Sequence, residues 1–265
     1  TDVFNPLRFE VLRAPSFRDP NALRGAAQMV REHSARLAGV VVGPLEQGAA
    51  GMLVARASEF AQLQAACRET GVLLICDEVA TRFGRTGTLF ASEQCGLRPD
   101  LMCLGKGITG GYLPMSATAA NQRVFEAFLG PDLSARTFYH GHSYGGNALA
   151  AAGGLRHLEL FERWSVLDNV RARSAQLSDL IGERIRPLKF VHEVRTCGLM
   201  LAIELANDSA ERRLARRTCA AMVKGGVPAR SLATTNILMP PLTVTATEIE
   251  RIVNTLRAAL DEICV

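Results

Sequence analysis

Short runs of apolar residues alternate with longer segments of helical periodicity in the first half of the chain. The runs Val40 to Val42, Val72 to Cys76 and Leu101 to Leu104 are apolar at successive positions, whereas a strand with one face in water would alternate. Helices are predicted from Asp19 to Gly39 and from Ser58, a capping residue, to Gly71. Strands buried on both faces and joined by helices predict a parallel α/β sheet covered by helices.

The same alternation continues towards the middle of the chain. A strand is predicted at Ser116 to Ala119, followed by a helix that Asn121 caps. Residues 145–162 are rich in glycine and alanine, which predicts a helix packed closely on the sheet. A long helix from Val166 to Ile185 could bridge two domains.

The second half of the chain has a different pattern. Residues 191–194 and 198–205 predict a pair of strands, and a basic helix is predicted from Ser209 to Lys224. A short strand lies in NILMPPL, and the last helix begins with the capping-box pattern Thr245-x-x-Glu248. We therefore predict a large α/β domain over residues 1–160 and a small α+β domain over residues 161–265.

Composition limits the kinds of protein this can be. The chain has 265 residues, of which 48% are hydrophobic and 21% charged, as in soluble globular proteins. No apolar run has membrane-spanning length and no signal peptide opens the chain, so we expect a cytoplasmic protein without a membrane partner. The seven cysteines never occur as C-x-x-C, which indicates reduced thiols and no metal site.

The charged residues are mostly arginines. Lysine occurs only at positions 106, 189 and 224, although the formal net charge is +4. The arginines are spread over predicted helices and are not grouped with aromatic residues, so solvated helix faces explain them better than a nucleic-acid surface. Because there are only three lysines, each can be considered in turn as a candidate nucleophile.

Two of the predicted buried strands are followed by groups that carry chemistry. Asp77 comes directly after Cys76, and Lys106 follows Leu104 among glycines. Ligands of parallel sheets bind at the carboxyl ends of the strands, so we expect both side chains in one crevice. A partly desolvated lysine has a lowered pKa and can form a Schiff base, while a carboxylate can keep a heteroaromatic ring protonated.

Simpler interpretations of these residues stay open. The aspartate can cap the next turn, and the lysine can lie along the surface with its amine in water. A Walker B strand, whose acids hold magnesium in ATPases, also fits residues 73–78. It requires a P-loop, however, and the single Gly-Lys pair, Gly105-Lys106, is downstream and is followed by another glycine.

The segment FYHGHSYGGNALA, residues 138–150, combines glycines, a hydroxyl and the start of a predicted helix. Backbone N–H groups at a helix start favour phosphate binding. His140 and His142 could instead hold a metal, but no third ligand is near in sequence. Ser143 fits G-x-S-x-G, yet it follows no apolar strand of the kind that presents a serine nucleophile.

Three stretches together resemble the class III pyridoxal-phosphate (PLP) aminotransferases of fold type I: LLICDEVATRFGRTG, PDLMCLGKGITGGYLPMSA and FYHGHSYGGNALA. NILMPPL near the end adds to them. The resemblance implies a three-layer α/β/α large domain, partial here, followed by the small α+β domain. Within the family it is greatest to members that transfer an amino group from S-adenosylmethionine to 8-amino-7-oxononanoate in biotin biosynthesis.

The resemblance also implies roles for individual residues. Lys106 would form the Schiff base with PLP and then move a proton, Asp77 would pair with the pyridine nitrogen, and Val79 would pack on the ring. His142 and Ser143 would bind the cofactor phosphate across the interface of a homodimer with shared active sites. Two residues would contact substrate, namely Gly141 and Arg230.

The chain departs from the family pattern at two places in particular. Gly43 stands where members have Glu, and Arg82 stands where they have Gly. The resemblance further implies that the N-terminal part of the large domain is missing, as in a fragment, an incomplete sequence or a truncated relative. Two alternatives to the biotin-pathway reaction therefore remain: another ω-amino-acid or diamine transaminase, and a catalytically inert half with a structural or interaction role.

Overall fold

The computed structural model describes Pro6 and residues 9–264, in which helices and strands alternate. The helices are α1 (Ala22–His33), α2 (Phe60–Thr70), α3 (Ala91–Gln94), α4 (Gln122–Ala127), α5 (Ala148–Arg163), α6 (Val166–Arg184), α7 (Leu214–Lys224) and α8 (Ala246–Cys264). The strands are β1 (Gly39–Val42), β2 (Glu46–Gln47), β3 (Leu53–Val54), β4 (Leu73–Asp77), β5 (Leu101–Leu104), β6 (Ala117–Ala120), β7 (Val191–Cys197), β8 (Met200–Leu205), β9 (Arg230–Leu232) and β10 (Thr235–Leu238).

The first half of the chain is built on a four-stranded sheet with the order β1-β4-β5-β6. Strands β1, β4 and β5 are parallel, which confirms the prediction from their uninterrupted apolar runs. Strand β6 runs antiparallel to β5, contrary to the continued parallel pattern we expected. Its residues, Ala-Thr-Ala-Ala, are too small and uniform to indicate a direction.

Helices α1 and α2 pack beside this sheet and bury its apolar side chains. Phe60, Leu63 and Leu74 are almost completely buried in one cluster. Two predicted helix starts were wrong. α1 begins at Ala22, and Ser58 does not cap α2, because residues 57–59 form a turn of 3-10 helix.

The second half contains an antiparallel sheet with the order β7-β8-β10-β9. The predicted strand pair is confirmed, since β7 and β8 pair antiparallel. The capping box is also confirmed: Thr245 N and Oγ1 donate to the Glu248 carboxylate at 2.7 and 2.8 Å. Buried side chains of α6, α7 and α8 form one core with this sheet.

Helix α7 begins at Leu214 and not at Ser209 as predicted. The backbone N–H groups of Leu214 and Ala215 donate to the Asp208 carboxylate at 2.7 and 2.9 Å. Arg213, just before the helix, has a φ of +49°, which breaks helical geometry. Asp208 therefore caps the helix from six residues upstream, a connection that local sequence pattern does not reveal.

Helix α5 packs on a turn and not broadly on the sheet, which corrects the prediction for this segment. A Cβ on Gly154 would lie 3.3 Å from Ile108 O, in the turn Lys106–Thr109. Leu149 and Leu155, on the same helix, are 74% and 65% exposed. The lack of a side chain at Gly154 therefore lets α5 approach the turn that carries Lys106.

The predicted division between residues 160 and 161 falls inside α5, and it stays a prediction. Residues 1–5, 7 and 8 of the predicted large domain lie outside the described residues. None of the helices in the described part combines the length and the apolar character that a membrane span requires.

Candidate active site

The ends of β4 and β5 bring the two predicted chemical groups to the same edge of the sheet. We predicted Asp77 directly after the strand, but it is the last residue of β4. It pairs with Cys103 of β5. Glu78 N donates to Cys103 O at 3.1 Å, which holds the two strand ends together. Lys106 begins the turn that follows β5. The strands thus position the carboxylate and the amine at one edge, as parallel topology requires.

The carboxylate of Asp77 is exposed and partly engaged with its own turn. Its Oδ1 accepts a hydrogen bond from Val79 N at 2.9 Å, so the turn-capping role considered for this residue is present. Val79 lies against the other strand: its Cγ1 is 3.5 Å from where a Cβ on Gly105 would sit. Val79 therefore lies between the two strand ends that present Asp77 and Lys106.

Lys106 is exposed, so the expectation that it is partly desolvated was wrong for this structure. Its backbone has a φ of +36°, a conformation that costs energy for a residue with a side chain. The turn is held by Thr109, which is buried and donates from Oγ1 to Leu113 O at 2.6 Å. Strain of this kind persists where the surrounding structure enforces it and is common at functional sites.

A cavity of about 770 Å³ opens beside Lys106. Four of its lining side chains are cationic, and no acidic side chain of the described residues lines it. Aromatic side chains of α5 and the neighbouring loops form much of the apolar wall. The cationic lining residues are Arg82, Arg85, Lys106 and Arg156. The cavity therefore suits an anion that has an apolar body.

Glu46, in the short strand β2, is a buried acid that the sequence analysis did not identify. It is 4% exposed, and neither carboxylate oxygen has a hydrogen-bond partner in the described part of the chain. Burial raises its pKa to about 7, against the lowering effect of the charges on Arg85 and Lys106. A Cβ at Gly43 would lie 2.8 Å from Glu46 O, so this backbone approach requires the glycine found there.

We expect Glu46→Gln to remove a pH dependence of stability. The folded-state pKa of about 7 exceeds the ordinary value of 4.5, so the stabilising contribution is present below the unfolded pKa and is lost as pH rises through 7. From pH 5 to pH 8 the wild-type chain should lose about 2 to 3 kcal/mol of unfolding free energy relative to the variant. Urea denaturation of both chains at a series of pH values measures this.

The control for this prediction is Glu59→Gln, which removes the charge of a half-buried glutamate next to α2. Its stability difference from wild type should vary with pH by less than a third of the Glu46 effect. If the unfolding free energies of wild type and Glu46→Gln change with pH by the same amount, the prediction is wrong.

Of the predicted site residues, Val79 and Lys106 line the cavity, whereas Asp77 lies at the same sheet edge outside the lining, so the expected shared crevice is not seen for Asp77. The other four predicted residues lie apart from this group. Gly141, His142 and Ser143 are exposed on the segment before α5, and His142 Nδ1 accepts from Tyr144 N at 3.1 Å. Arg230 is exposed at the start of β9, where it pairs with Ile237 of β10. The structure therefore unites Asp77, Val79 and Lys106 and leaves these four residues outside the group. Their predicted roles stay predictions.

The residues at the strand ends fit the cofactor that the sequence resemblance implies. An amine, a carboxylate and a branched apolar side chain lie at one sheet edge, next to a cationic cavity. These are the groups needed to hold an aldehyde, a protonated ring nitrogen, a ring face and an anionic substituent. On this test the donor set of the chain suits PLP.

Comparison with known proteins identifies a family. The model of the aminotransferase class-III family matches residues 11–260. Adenosylmethionine-8-amino-7-oxononanoate aminotransferase of Nitratidesulfovibrio vulgaris is 41% identical over 278 residues, which cover 97% of this chain and 51% of the relative. The enzyme of that name from Helicobacter pylori is 34% identical over 269 residues, covering 99% of this chain and 62% of the relative.

Solved structures agree with the sequence comparison. The crystal structure of adenosylmethionine-8-amino-7-oxononanoate aminotransferase from Methanocaldococcus jannaschii superposes with a TM-score of 0.94 at 31% identity, covering 100% of this chain and 63% of that one. An amine transaminase from an uncultivated Pseudomonas species, in its PLP-bound internal aldimine form, gives a TM-score of 0.88 at 30% identity over 99% of this chain and 65% of that one. The chain thus spans about half to two thirds of the proteins it matches.

Proposed function

Because this chain belongs to the class III aminotransferases, we propose that it carries out, or forms part of a protein that carries out, PLP-dependent amino transfer. The observation that carries the proposal is the placement of Lys106 and Asp77 at adjoining strand ends, with Val79 between them. This arrangement supports binding of an aromatic aldehyde through its carbonyl and its ring nitrogen at once. PLP, when bound, supplies an electron sink for the exchange of amino groups.

The residues of the chain have distinct tasks in this proposal. The amine of Lys106 holds the cofactor covalently and, when released, carries a proton to and from the reacting carbon of the substrate. Asp77 holds a proton on the ring nitrogen through its carboxylate, and its bond from Val79 N fixes the direction of that carboxylate. Val79 packs on the ring face and keeps water from it. Each task follows from the chemistry of the side chain and its position at the sheet edge.

S-adenosylmethionine is the proposed amino donor and 8-amino-7-oxononanoate the proposed acceptor, giving 7,8-diaminononanoate in biotin biosynthesis. The names of the two relatives at 41% and 34% identity support this choice. Structural neighbours include an amine transaminase and an (S)-enantioselective omega-transaminase, so another ω-amino-acid or diamine substrate pair is the alternative. We propose Arg230 and Gly141 as substrate contacts, as the sequence resemblance implies.

The proposal extends to the surroundings of the site. His142 and Ser143 are exposed near the start of α5, which would suit binding of the cofactor phosphate of a second subunit. We therefore propose a homodimer with shared active sites, located in the cytoplasm. The matched proteins are longer than this chain, so a half-site without catalytic activity is the second candidate for the chain alone.

Covalent labelling tests the assignment of Lys106. The chain is mixed with PLP, reduced with borohydride and digested, and the phosphopyridoxyl peptides are located by mass spectrometry. We expect the label on Lys106, because it lines the cationic cavity at the end of β5, whereas the other two lysines, Lys189 and Lys224, are not in the cavity lining.

The matched control is Lys106→Arg, which keeps the charge and should remove the specific label. Equal labelling of all three lysines in the wild-type chain would contradict the proposal. If Lys106 is labelled but no amino group moves from S-adenosylmethionine to 8-amino-7-oxononanoate, the biotin-pathway assignment of the isolated chain is wrong. If ω-amino-acid and diamine donors also fail, the chain alone is the inert half.

A further inference from the structure

Glu46 lies near the functional edge of the parallel sheet with its carboxyl group unpartnered. It follows shortly after the end of β1, where Val42 pairs with Cys76 of β4. The chain therefore leaves β1 at the edge where Asp77 and Lys106 lie. Glu46 is 4% exposed, and its two carboxyl oxygens have no hydrogen-bond partner in the described part of the chain.

A tight turn fixes the backbone of Glu46. Its N–H donates to Pro44 O at 2.8 Å, and the buried Leu45 between them has a φ of +64°. Glu46 also pairs with Val54 in the β2–β3 hairpin. A strained conformation of this kind persists only where the surrounding structure enforces it. We therefore expect the carboxyl group to stay inside the protein whether or not it carries a proton.

Arg85 is the cation that acts most strongly on this carboxyl group. Burial raises the pKa of Glu46 to about 7, and the charge of Arg85 opposes this rise more than that of Lys106 does. Burial in turn lowers the pKa of Arg85, and the charge of Glu46 opposes that shift. The nearby thiols of Cys95 and Cys197 stay neutral, because burial raises the pKa of each to about 12. Arg85 is therefore the natural partner of an ionised Glu46.

Arg85 has hydrogen-bond donors to spare. Its Nη1 donates to Pro240 O at 2.5 Å and to Leu199 O at 3.5 Å. Its Nε and Nη2 make no hydrogen bond to the described residues. The guanidinium thus lies on carbonyl groups of the second half of the chain and leaves the carboxyl group of Glu46 without a partner. This arrangement suits a protonated Glu46, since a buried carboxylate without a counter-charge is costly.

We propose that Glu46 controls the position of the Arg85 side chain by gaining and losing a proton. With the carboxyl group protonated, Pro240 O holds the guanidinium in the wall of the cavity beside Lys106. When the proton leaves, the carboxylate binds the guanidinium through Nε and Nη2, and the bond to Pro240 is lost. The cavity wall beside Lys106 therefore loses a cationic group above neutral pH. This switch does not depend on the proposed amino transfer.

Crystal structures of the cofactor-free chain at about pH 5 and about pH 9 test the proposal directly. In wild type, Arg85 should donate to Pro240 O at the lower pH and lie about 3 Å from the Glu46 carboxylate at the higher pH. Glu46→Gln has nearly the same shape but cannot ionise, so its Arg85 should stay on Pro240 O at both pH values. If Arg85 occupies the same position in wild type at both pH values, the proposal is overturned.

Carbon-13 NMR of the glutamate carboxyl groups tests the same coupling in solution. The Glu46 signal is assigned by its absence in Glu46→Gln. Arg85→Gln should raise the midpoint of the Glu46 titration by about one pH unit or more, a change of about tenfold in proton affinity, because it removes the cation that favours the carboxylate. Arg156→Gln is the matched control, since Arg156 also lines the cavity but is exposed and paired with Glu159. It should shift the midpoint by less than a third as much.

An equal Glu46 midpoint in wild type and Arg85→Gln would also contradict the proposal. The crystal comparison requires only wild type and Glu46→Gln, so it decides the question even if Arg85→Gln does not fold. Both experiments omit PLP, and their outcome is therefore separate from that of the Lys106 labelling.

Discussion

Gly198→Ala is expected to lower the free energy of unfolding by about 3 kcal/mol or more. Gly198 lies in the two-residue turn between β7 and β8 with a φ of +59°, where a side chain is strained. A Cβ would also lie only 2.6 Å from Thr86 Cα, and backbone atoms cannot move aside as a flexible side chain can. Strain and overlap therefore act together. Urea denaturation of wild type and variant measures the loss.

Gly71→Ala is the matched control for Gly198→Ala. Gly71 ends α2 with a φ of +76°, and a Cβ there would meet nothing within 4 Å. The Gly71→Ala substitution should therefore lower the free energy of unfolding only by the backbone strain, about 1 kcal/mol. If the two variants lose the same free energy, the close approach of Gly198 to Thr86 is not the source of the effect.

Asp77→Asn is expected to weaken binding of pyridoxal phosphate by tenfold or more while leaving thermal stability unchanged. Asparagine keeps an Oδ1 that can accept the hydrogen bond from Val79 N, so the turn is preserved. It loses the negative charge that would keep the ring nitrogen protonated. The variant therefore separates the structural task of this residue from the proposed chemical one. Absorbance titration with the cofactor measures the affinity.

Two further variants make this test specific. Asp77→Ala removes both the charge and the acceptor, so it should bind the cofactor as weakly as Asp77→Asn and also unfold at a lower temperature. Asp179→Asn removes an exposed charge on α6 and should behave like wild type. If Asp77→Asn binds the cofactor as tightly as wild type, Asp77 only caps its turn.

Much of the sheet could be predicted from the sequence because its strands are unusually uniform. The apolar runs that became β1, β4 and β5 do not alternate with polar residues, which predicts parallel strands, and the parallel pairing is observed. The predicted burial of both faces was wrong in the described part of the chain, because Val41 of β1 is 67% exposed. The same logic located Asp77 and Lys106 at one edge without any knowledge of distances. The strands of this sheet and the residues at their ends could therefore be predicted from local composition.

Features that depend on distant contacts could not be predicted in this way. Asp208 caps α7 from across a turn, so the helix start was misplaced by five residues. The cavity takes its walls from loops, from α5 and from Met239, which are far apart in sequence. Glu46 lies in the two-residue strand β2 and is 4% exposed, which the polar and glycine-rich sequence around it does not indicate. Burial of single polar side chains is a tertiary property.

The contact of the β7–β8 turn with the Arg85 loop has a mechanical consequence. Leu199 N donates to Arg85 O at 3.0 Å, and Arg85 Nη1 donates to Pro240 O at 2.5 Å. One arginine of the cavity wall is thus fastened through both its backbone and its side chain to the antiparallel sheet. A movement of one sheet against the other must therefore either carry this part of the cavity wall along or break both hydrogen bonds, so the wall at Arg85 follows the antiparallel sheet.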